Sequence, residues 1–239
     1  MNLMLLSSAD FTAPDRVCIT DRRLHHVNNV LRSQLGDQLR VGLVNHRWGL
    51  GTIIKLNSEQ LEMEIVLDRQ PPVPLAIKLV VALPRPPSLR KIIQQATSMG
   101  VKQFIFIQSS RVEKSYWTSS ALQENDVKNQ MLLGLEQAGD TLMPQIELHR
   151  QFKPFIHERW PELIQQTTPI LADPNPTPSM VTKASSAAFT LVVGPEGGFI
   201  PYELDTFRQL GCVGISLGER ILRVETAVVA LIARLSVFL

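Results

Sequence analysis

Two glycine-containing segments near the carboxyl end of the chain have residue types that could form ligand-binding loops. The first, LVVGPEGGFI, spans Leu191–Ile200, and the second, LGERILRVETA, spans Leu217–Ala227. Glycine lets a ligand approach the backbone closely, and the exposed N–H and C=O groups can then hydrogen-bond a flat polar base such as adenine. From composition alone, a tight turn that binds nothing is the simpler interpretation of GPEGG, and a ligand loop is the alternative.

The chain lacks the motifs of common nucleotide-binding and hydrolytic sites. It contains no G-x-x-x-x-G-K-[ST] segment, which argues against a phosphate-binding P-loop. No G-x-G-x-x-G precedes an acidic residue, so neither a dinucleotide fold nor a Rossmann-type methyltransferase is supported. Gly49 and Gly51 form an isolated G-x-G that predicts a strand irregularity. There is no G-x-S-x-G, and the five histidines form no zinc-binding pattern, so we expect no metal site.

Taken together, the two segments resemble the bacterial 16S ribosomal RNA uracil-N3 methyltransferases of the SPOUT class. The resemblance extends through most of the chain. HHVNNVLRSQLGDQLRV (His25–Val41) resembles that family's PUA-like RNA-binding barrel, and IQQATSMGVKQFIFIQSSRVEK and GLEQAGD resemble its middle region. The resemblance implies a C-terminal trefoil knot that binds S-adenosylmethionine, and a homodimer formed through the knotted domain. Two segments depart from the family pattern. Ser98-Met99 stands where members often have Glu-Leu, and Asp140 stands where they often have Arg. The loss of a positive charge at Asp140 would weaken a contact with RNA or the active site.

The resemblance places the cofactor between three loops: the one after TPILA, the Gly194–Gly198 loop and Leu217–Leu222. The glycines would clear room, Pro195 would stiffen its loop, and the apolar residues would form walls around adenine. The predicted cofactor-binding residues are Leu171, Gly194, Pro195, Glu196, Gly197, Gly198, Leu217, Gly218, Ile221 and Leu222.

Methyl transfer to uracil N3 requires alignment of donor and acceptor and removal of the N3 proton. Glu196 is the side chain we predict to accept that proton; its alternative is to bind backbone amides or a neighbouring loop. Arg223 is predicted to neutralise charge that develops on the uracil oxygens. For Arg220, contact with RNA and a salt bridge to Glu219 or Glu225 both remain open.

The distribution of charge favours RNA as the partner, although the net charge is only +2. Residues 85–114 contain six Lys and Arg against one acid, whereas residues 115–175 contain eight acids against four Lys and Arg. Concentrated positive charge is what phosphate binding needs, and its alternative is an ordinary solvated face. The predicted RNA-binding residues are Arg16, Arg22, Arg23, His25, Arg32, Arg85, Arg90, Arg111 and Arg220.

Two patterns along the chain predict the elements that would position these residues. Residues 1–70 contain short alternating runs, QLRVGLV, GLGTIIKL and LEMEIVL, which predict a small β-rich domain. The resemblance implies that this domain is a PUA-like β-barrel. Residues 71–74 form a proline-rich linker. Residues 75–239 alternate apolar runs with helical patterns, which predicts an α/β domain with a mostly parallel sheet. Within it, we expect one long helix over Tyr116–Gly139, a helix capped by Ser88 and ended by Gly100, and a helix that starts at Pro201.

The composition, with 44% hydrophobic residues and two distant cysteines, is that of a globular protein of a reducing cytoplasm. The function predicted is S-adenosylmethionine-dependent methylation of uracil N3 in 16S ribosomal RNA. One alternative keeps the fold but methylates another RNA acceptor, such as a ribose 2′-hydroxyl. The other is a non-catalytic RNA-binding factor in ribosome assembly.

Overall fold

The computed structural model describes residues 2–174 and 188–239, which divide into two compact units. One unit comprises the chain as far as Val73 together with Leu132–Met143, and the other comprises Pro74–Met131 and Pro144–Leu239. The division lies inside the proline-rich stretch 71–74. The segment Leu132–Met143, which lies within the predicted 75–239 domain, belongs instead to the first unit because Leu135 is fully buried against apolar side chains near the amino end.

The first unit is a six-stranded sheet with the order β1-β4-β5-β6-β3-β2. β1 and β4 pair in parallel, and the other neighbours are antiparallel. A short helix, α1, continues into a π-helical turn at Val27–Leu31. The strands and helix are β1 Met4–Leu6, β2 Phe11–Ala13, β3 Arg16–Ile19, α1 Arg22–His26, β4 Gln38–Leu43, β5 Trp48–Leu56 and β6 Leu61–Arg69.

The predicted irregularity in β5 is confirmed. The pairing of β5 with β6 shifts register between Trp48 and Leu50. A Cβ atom on Gly49 would lie 1.9 Å from the carbonyl oxygen of Val66, so only glycine fits this approach of two backbones. The isolated G-x-G is therefore a feature of strand pairing.

The second unit contains a six-stranded sheet, all parallel among the described residues, with the order β12-β10-β11-β7-β8-β9. Its strands are β7 Ile77–Ala82, β8 Gln103–Ile107, β9 Gln145–His149, β10 Thr168–Ala172, β11 Phe189–Val193 and β12 Val213–Ile215. The helices along this part of the chain are α2 Pro86–Ser98, α3 Glu124–Ala138, α4 Phe152–Pro154, α5 Trp160–Leu163, α6 Pro201–Gln209 and α7 Val224–Ser236. The predicted α/β class with a parallel sheet is confirmed.

Two groups of apolar contacts hold these helices in place. α2 and α7 pack against each other, and both bury an apolar stripe that includes Ile92 of α2 and Leu231 of α7. On α6, the ring of Phe207 lies 5.2 Å from that of Trp160 and 5.3 Å from that of Phe199. The loops that precede α6 and α7 are thus attached to helices that pack in the core. None of the described helices combines the length and apolarity that crossing a bilayer requires.

The helix boundaries confirm some predictions and correct others. Gly100 has a φ of +93° just after α2 ends, and Pro201 is the first residue of α6, as expected. The predicted single helix over Tyr116–Gly139 is wrong because two 3₁₀ turns, Lys114–Thr118 and Ser120–Leu122, precede α3. Ser119 accepts a hydrogen bond from the amide of Ala121, and such local bonds compete with a continuous helix.

Ser88 is not the cap of α2, which begins two residues earlier at Pro86. Its hydroxyl is buried and donates to the carboxylate of Glu225 on α7 at 2.8 Å. The residue joins two helices, a role that the local sequence pattern does not reveal.

Candidate active site at the carboxyl edge of the parallel sheet

The three loops predicted to form the site follow three neighbouring strands. Leu171 of β10 pairs with Val192 of β11 on one side and with Gly214 of β12 on the other. Because all three strands are parallel and end nearly level, the loops that follow them start side by side at one edge of the sheet. Ligands of open α/β sheets bind at this edge.

The connections also reverse direction here. The chain leaves β7 towards β8 but leaves the adjacent β11 towards β12, on the opposite side of the sheet. Such a reversal opens a crevice between the loop after β7 and the loop after β11. In doubly wound sheets, ligands usually bind in this crevice. The loops that border it begin at Leu83 and at Gly194.

The glycines of the first segment have different surroundings. We call Gly194–Ile200 the glycine loop. A Cβ atom on Gly194 would lie 3.2 Å from the ring of Phe199, and one on Gly197 would lie 3.1 Å from Cδ of Arg111. Gly198 has a φ of +71° and nothing within 4 Å of the Cβ position. At Gly194 and Gly197, the space that a side chain would need is therefore occupied by Phe199 and Arg111. Of the three glycines in this loop, only Gly198 has open space at its Cβ position.

The second loop, Leu217–Leu222, is anchored at its start and open along the rest. The amide of Gly218 donates to Ser216 Oγ at 3.1 Å, and Arg234 of α7 donates to the Ser216 carbonyl at 2.6 Å. Gly218 has a φ of +100° with open space at the Cβ position, and the side chain of Ile221 is 98% exposed. Within the part of the chain that is described, the amides of residues 219–222 make no hydrogen bond. The loop thus offers free backbone donors beside an apolar surface.

Leu171 lies in the sheet and not on a loop. Its side chain is fully buried and its backbone takes part in pairing on both sides. Directly after β10, buried Asp173 forms an ion pair with Arg208 of α6 at 2.6 Å. The loop then continues into residues 175–187, outside the described residues.

Glu196 binds a backbone amide of a neighbouring loop, which is the alternative to its role as the acceptor of the N3 proton. Its Oε1 accepts a hydrogen bond from the backbone amide of Arg85 at 3.1 Å and lies 3.9 Å from the guanidinium Nε of the same residue. The carboxylate therefore spans the crevice and joins the glycine loop to the loop after β7. It remains partly exposed.

Arg220 and Arg223 are exposed, and neither takes part in an ion pair with any described residue. Glu219 and Glu225 are the two alternative partners predicted for Arg220. Glu219 forms no ion pair with any described residue, and Glu225 is buried and bound elsewhere: it accepts from Ser88 and lies 3.6 Å from Lys91 Nζ. Arg223 immediately precedes the first residue of α7. Both guanidinium groups are accordingly available at the edge of the second loop.

The residues predicted to bind RNA fall into two groups. Most have their charge engaged inside the chain: Arg16 with Glu64, Arg22 with Glu136, Arg23 with Asp10 and Asp21, Arg85 with Glu196, Arg90 with Asp126 and Arg111 with the Gly197 carbonyl. His25, Arg32 and Arg220 have no ion pair among the described residues.

Arg23 shows most clearly that a basic residue can be structural. Its side chain is only 12% exposed and also donates to the Leu5 carbonyl at 2.7 Å. Burial opposes ionisation of Asp10, but the hydrogen bonds from Arg23 and Ser7 outweigh it and lower the pKa of Asp10. Arg23 holds the amino-terminal part of the sheet together, so we leave it out of the RNA surface.

A family model described as RNA methyltransferase domain matches residues 71–236, and a second, described as RNA methyltransferase PUA domain, matches residues 19–66. The chain belongs to the RNA methyltransferase family. The PUA domain predicted at the amino end is confirmed with it.

Curated relatives agree with this assignment. Ribosomal RNA small subunit methyltransferase E 1 of Borreliella burgdorferi is 24% identical over 96% of this chain and 95% of its own length. Ribosomal RNA small subunit methyltransferase E of Treponema pallidum is 27% identical over 88% of this chain and 80% of its own. A crystal structure of Ribosomal RNA small subunit methyltransferase E from Neisseria gonorrhoeae, bound to S-adenosyl methionine, superimposes with a TM-score of 0.77. That pair is 20% identical and covers 100% and 98% of the two chains, which confirms the fold.

The departure at Asp140 has a structural setting in this methyltransferase. Its side chain is buried, and Oδ1 accepts a hydrogen bond from the amide of Leu142 at 2.9 Å. Asp140 thus stabilises the turn after α3 in the first unit. A carboxylate oxygen can accept this hydrogen bond, whereas a guanidinium group has no acceptor.

The buried pair of Ser88 and Glu225 has a pH-dependent effect on stability. Burial opposes ionisation of Glu225, but its own amide, Ser88 and Lys91 outweigh it and lower the pKa below the usual 4.5. A carboxyl group with a lowered pKa stabilises the fold above its unfolded pKa, and this contribution is lost as the pH falls through the folded value. Glu225→Gln should therefore reduce the free energy of unfolding at pH 7 by about 1–2 kcal/mol.

This difference should shrink as the pH falls below 4.5. Urea unfolding of both proteins between pH 7 and 3 measures it. A difference that is constant over this range would mean that the charge of Glu225 does not matter.

Proposed function

We propose that this methyltransferase transfers the methyl group of S-adenosylmethionine to N3 of a uracil in 16S ribosomal RNA. The main support is the end-to-end correspondence with curated small-subunit ribosomal RNA methyltransferases, which includes both the RNA methyltransferase domain and the PUA domain. The choice of N3 rests on the resemblance of the two C-terminal segments to the uracil-N3 family.

The open parts of the two loops fit S-adenosylmethionine. Gly198 and Gly218 each have open space where a side chain would begin. The free amides of residues 219–222 are suited to hydrogen-bond the edge of adenine, and Leu217, Ile221 and Leu222 are suited to cover its face. Gly194, Pro195 and Gly197 would contribute by shaping the glycine loop. Because Leu171 is buried in the sheet, it would act by fixing the register of the strands.

The cofactor supplies a methyl group on a positively charged sulfur, so the protein has to align the acceptor and manage its proton. Arg223 is free and lies beside the second loop, where its charge would stabilise negative charge on the uracil oxygens. Glu196, on the glycine loop, is the carboxylate that we assign to the N3 proton. Its bond to the Arg85 amide holds it in place and leaves its second oxygen without a hydrogen bond to the described residues.

For RNA, we propose that His25 and Arg32 of the PUA domain and Arg220 of the second loop make the primary contacts, since none of the three side chains has an ion pair among the described residues.

We also propose a cytoplasmic homodimer. Val237, Phe238 and Leu239 are exposed apolar residues of the second unit that a partner copy would cover. Sedimentation velocity tests the dimer, and a monomer at micromolar concentration would contradict it.

The decisive experiment is incubation of the protein with labelled S-adenosylmethionine and small ribosomal subunits that lack modification. Digestion of the RNA and mass spectrometry then identify the methylated nucleoside. We expect N3-methyluridine at one site. A 2′-O-methyl nucleoside would overturn the acceptor, and cofactor binding without transfer would point to another RNA. Absence of both binding and transfer would favour a non-catalytic assembly factor.

Two substitutions separate the chemical roles of the site residues. Arg223→Met should lower turnover by about 100-fold with little change in cofactor affinity, because the cation acts on the developing charge. Glu196→Gln keeps an oxygen for the Arg85 amide but removes the base, so turnover should also fall by about 100-fold. Single-turnover rates and calorimetric cofactor affinities measure both effects. If Glu196→Gln retains full turnover, Glu196 is a structural link between loops and another group takes the proton.

Gly198 and Gly211 form a matched pair for locating the cofactor. Both have a positive φ and open space at the Cβ position, but Gly211 precedes β12, at the opposite edge of the sheet. An alanine at either position should cost about 1–2 kcal/mol of stability. Only Gly198→Ala should weaken binding of S-adenosylmethionine, by about tenfold or more, as measured by calorimetry. Equal affinities in the two variants would remove Gly198 from the site.

A further inference from the structure

The loop after β8 is bonded to the glycine loop at two points. We call residues 108–113 the β8 loop. A guanidinium nitrogen of Arg111 donates to the carbonyl of Gly197, and the stem of the same side chain packs where a Gly197 Cβ would be, with Cδ at 3.1 Å from that position. The conformation of the glycine loop at Gly197 therefore depends on a residue from a different part of the sheet.

The second bond is made by a buried acid. Glu203 of α6 is 3% exposed, and its two carboxylate oxygens accept from two different loops. One oxygen accepts from the amide of Ser110 at 2.7 Å, and the other accepts from the amide of Ile200 at 3.0 Å. Hydrogen bonds from amides to a buried carboxylate are strong, and loss of either partner would leave an unsatisfied group.

The β8 loop is itself rigidly supported. The indole nitrogen of Trp117 donates to Gln108 Oε1, and Gln108 Nε2 donates to the Val112 carbonyl at 3.1 Å. The guanidinium carbon of Arg150 lies 5.4 Å from the centre of the Trp117 ring. The glycine loop is consequently attached to a fixed support and not to another free loop.

We propose that Arg111 and Glu203 are positioning residues that hold the glycine loop in its binding conformation before the cofactor arrives. The proposal rests on the proposed function, since it assigns the cofactor to this loop. It also replaces the RNA contact expected for Arg111, because the guanidinium group is directed at Gly197. A loop ordered in advance loses less conformational entropy on binding, so its affinity is higher.

The test uses three variants. Arg111→Met keeps an unbranched apolar stem next to Gly197 but removes the donor. Glu203→Gln keeps the shape of the side chain but turns one acceptor into a donor that faces an amide N–H. Lys153→Met is the control for charge, since Lys153 is an exposed cation of the same unit with no hydrogen bond or ion pair among the described residues.

The first measurement is amide hydrogen exchange over residues 194–204 in the protein without cofactor. Exchange should be about tenfold faster in Arg111→Met and Glu203→Gln than in the wild type, and unchanged in Lys153→Met. This result does not depend on the identity of the ligand. If exchange is unchanged in both site variants, the two residues do not order the loop and the proposal is wrong.

The second measurement is calorimetric affinity for S-adenosylmethionine without RNA. Both site variants should bind about tenfold more weakly, and Arg111→Lys, which retains a cationic donor, should recover part of the loss. Faster exchange with unchanged affinity would overturn the positioning role. If the wild type binds no S-adenosylmethionine, the proposed function fails, whereas the exchange experiment still decides whether Arg111 and Glu203 order the loop.

Discussion

The parallel pairing of β10 with both β11 and β12 is the constraint on which the candidate site depends. Leu171 has a partner residue on each side, so a shift of one register would move two loops relative to the third. The residue contributes no atom to an open surface, yet it determines which backbone groups meet at the carboxyl edge. Loops that are more than forty residues apart in the chain, those around Asp173 and Leu217, become neighbours only through this pairing.

Two buried acids hold in place the loops and helices that the strand pairing brings together. Glu203 links the glycine loop to the β8 loop, and Glu225 links α7 to α2. In each case a desolvated carboxylate is compensated by donors from separate elements, which ties the position of one element to that of the next. The groups left free, Arg220, Arg223 and the amides of residues 219–222, are those that face outward from this supported frame.

Local patterns predicted the parts of the fold that depend on local physics. Apolar runs with turn residues between them indicated the central strands, and Gly100 and Pro201 marked helix ends because their backbone preferences act within one turn. Side-chain roles at the site were harder to predict, since they depend on residues far apart in sequence. Arg111 and Arg23 belong to basic stretches, but their partners, Gly197 and Asp10, lie in other segments. One part of the role of Glu203 has a local signal in the sequence: the acid stands three residues after Ile200, which precedes α6, and this is the spacing of a capping box. No local pattern indicates its hydrogen bond to Ser110.

The segment Leu132–Met143 changes what counts as a domain in this chain. Asn2 and Leu3 donate their amides to the Glu136 carbonyl, and Arg22 binds the Glu136 carboxylate at 2.7 Å. A fragment that stops at the proline-rich linker would lack these acceptors and would expose the apolar side chains that cover Leu135. Although the linker looks like a natural place to cut, the amino-terminal unit is completed only after residues 74–131, more than a third of the carboxyl-terminal unit, have been synthesised. Its folding on the ribosome must therefore wait for sequence that lies beyond its apparent end.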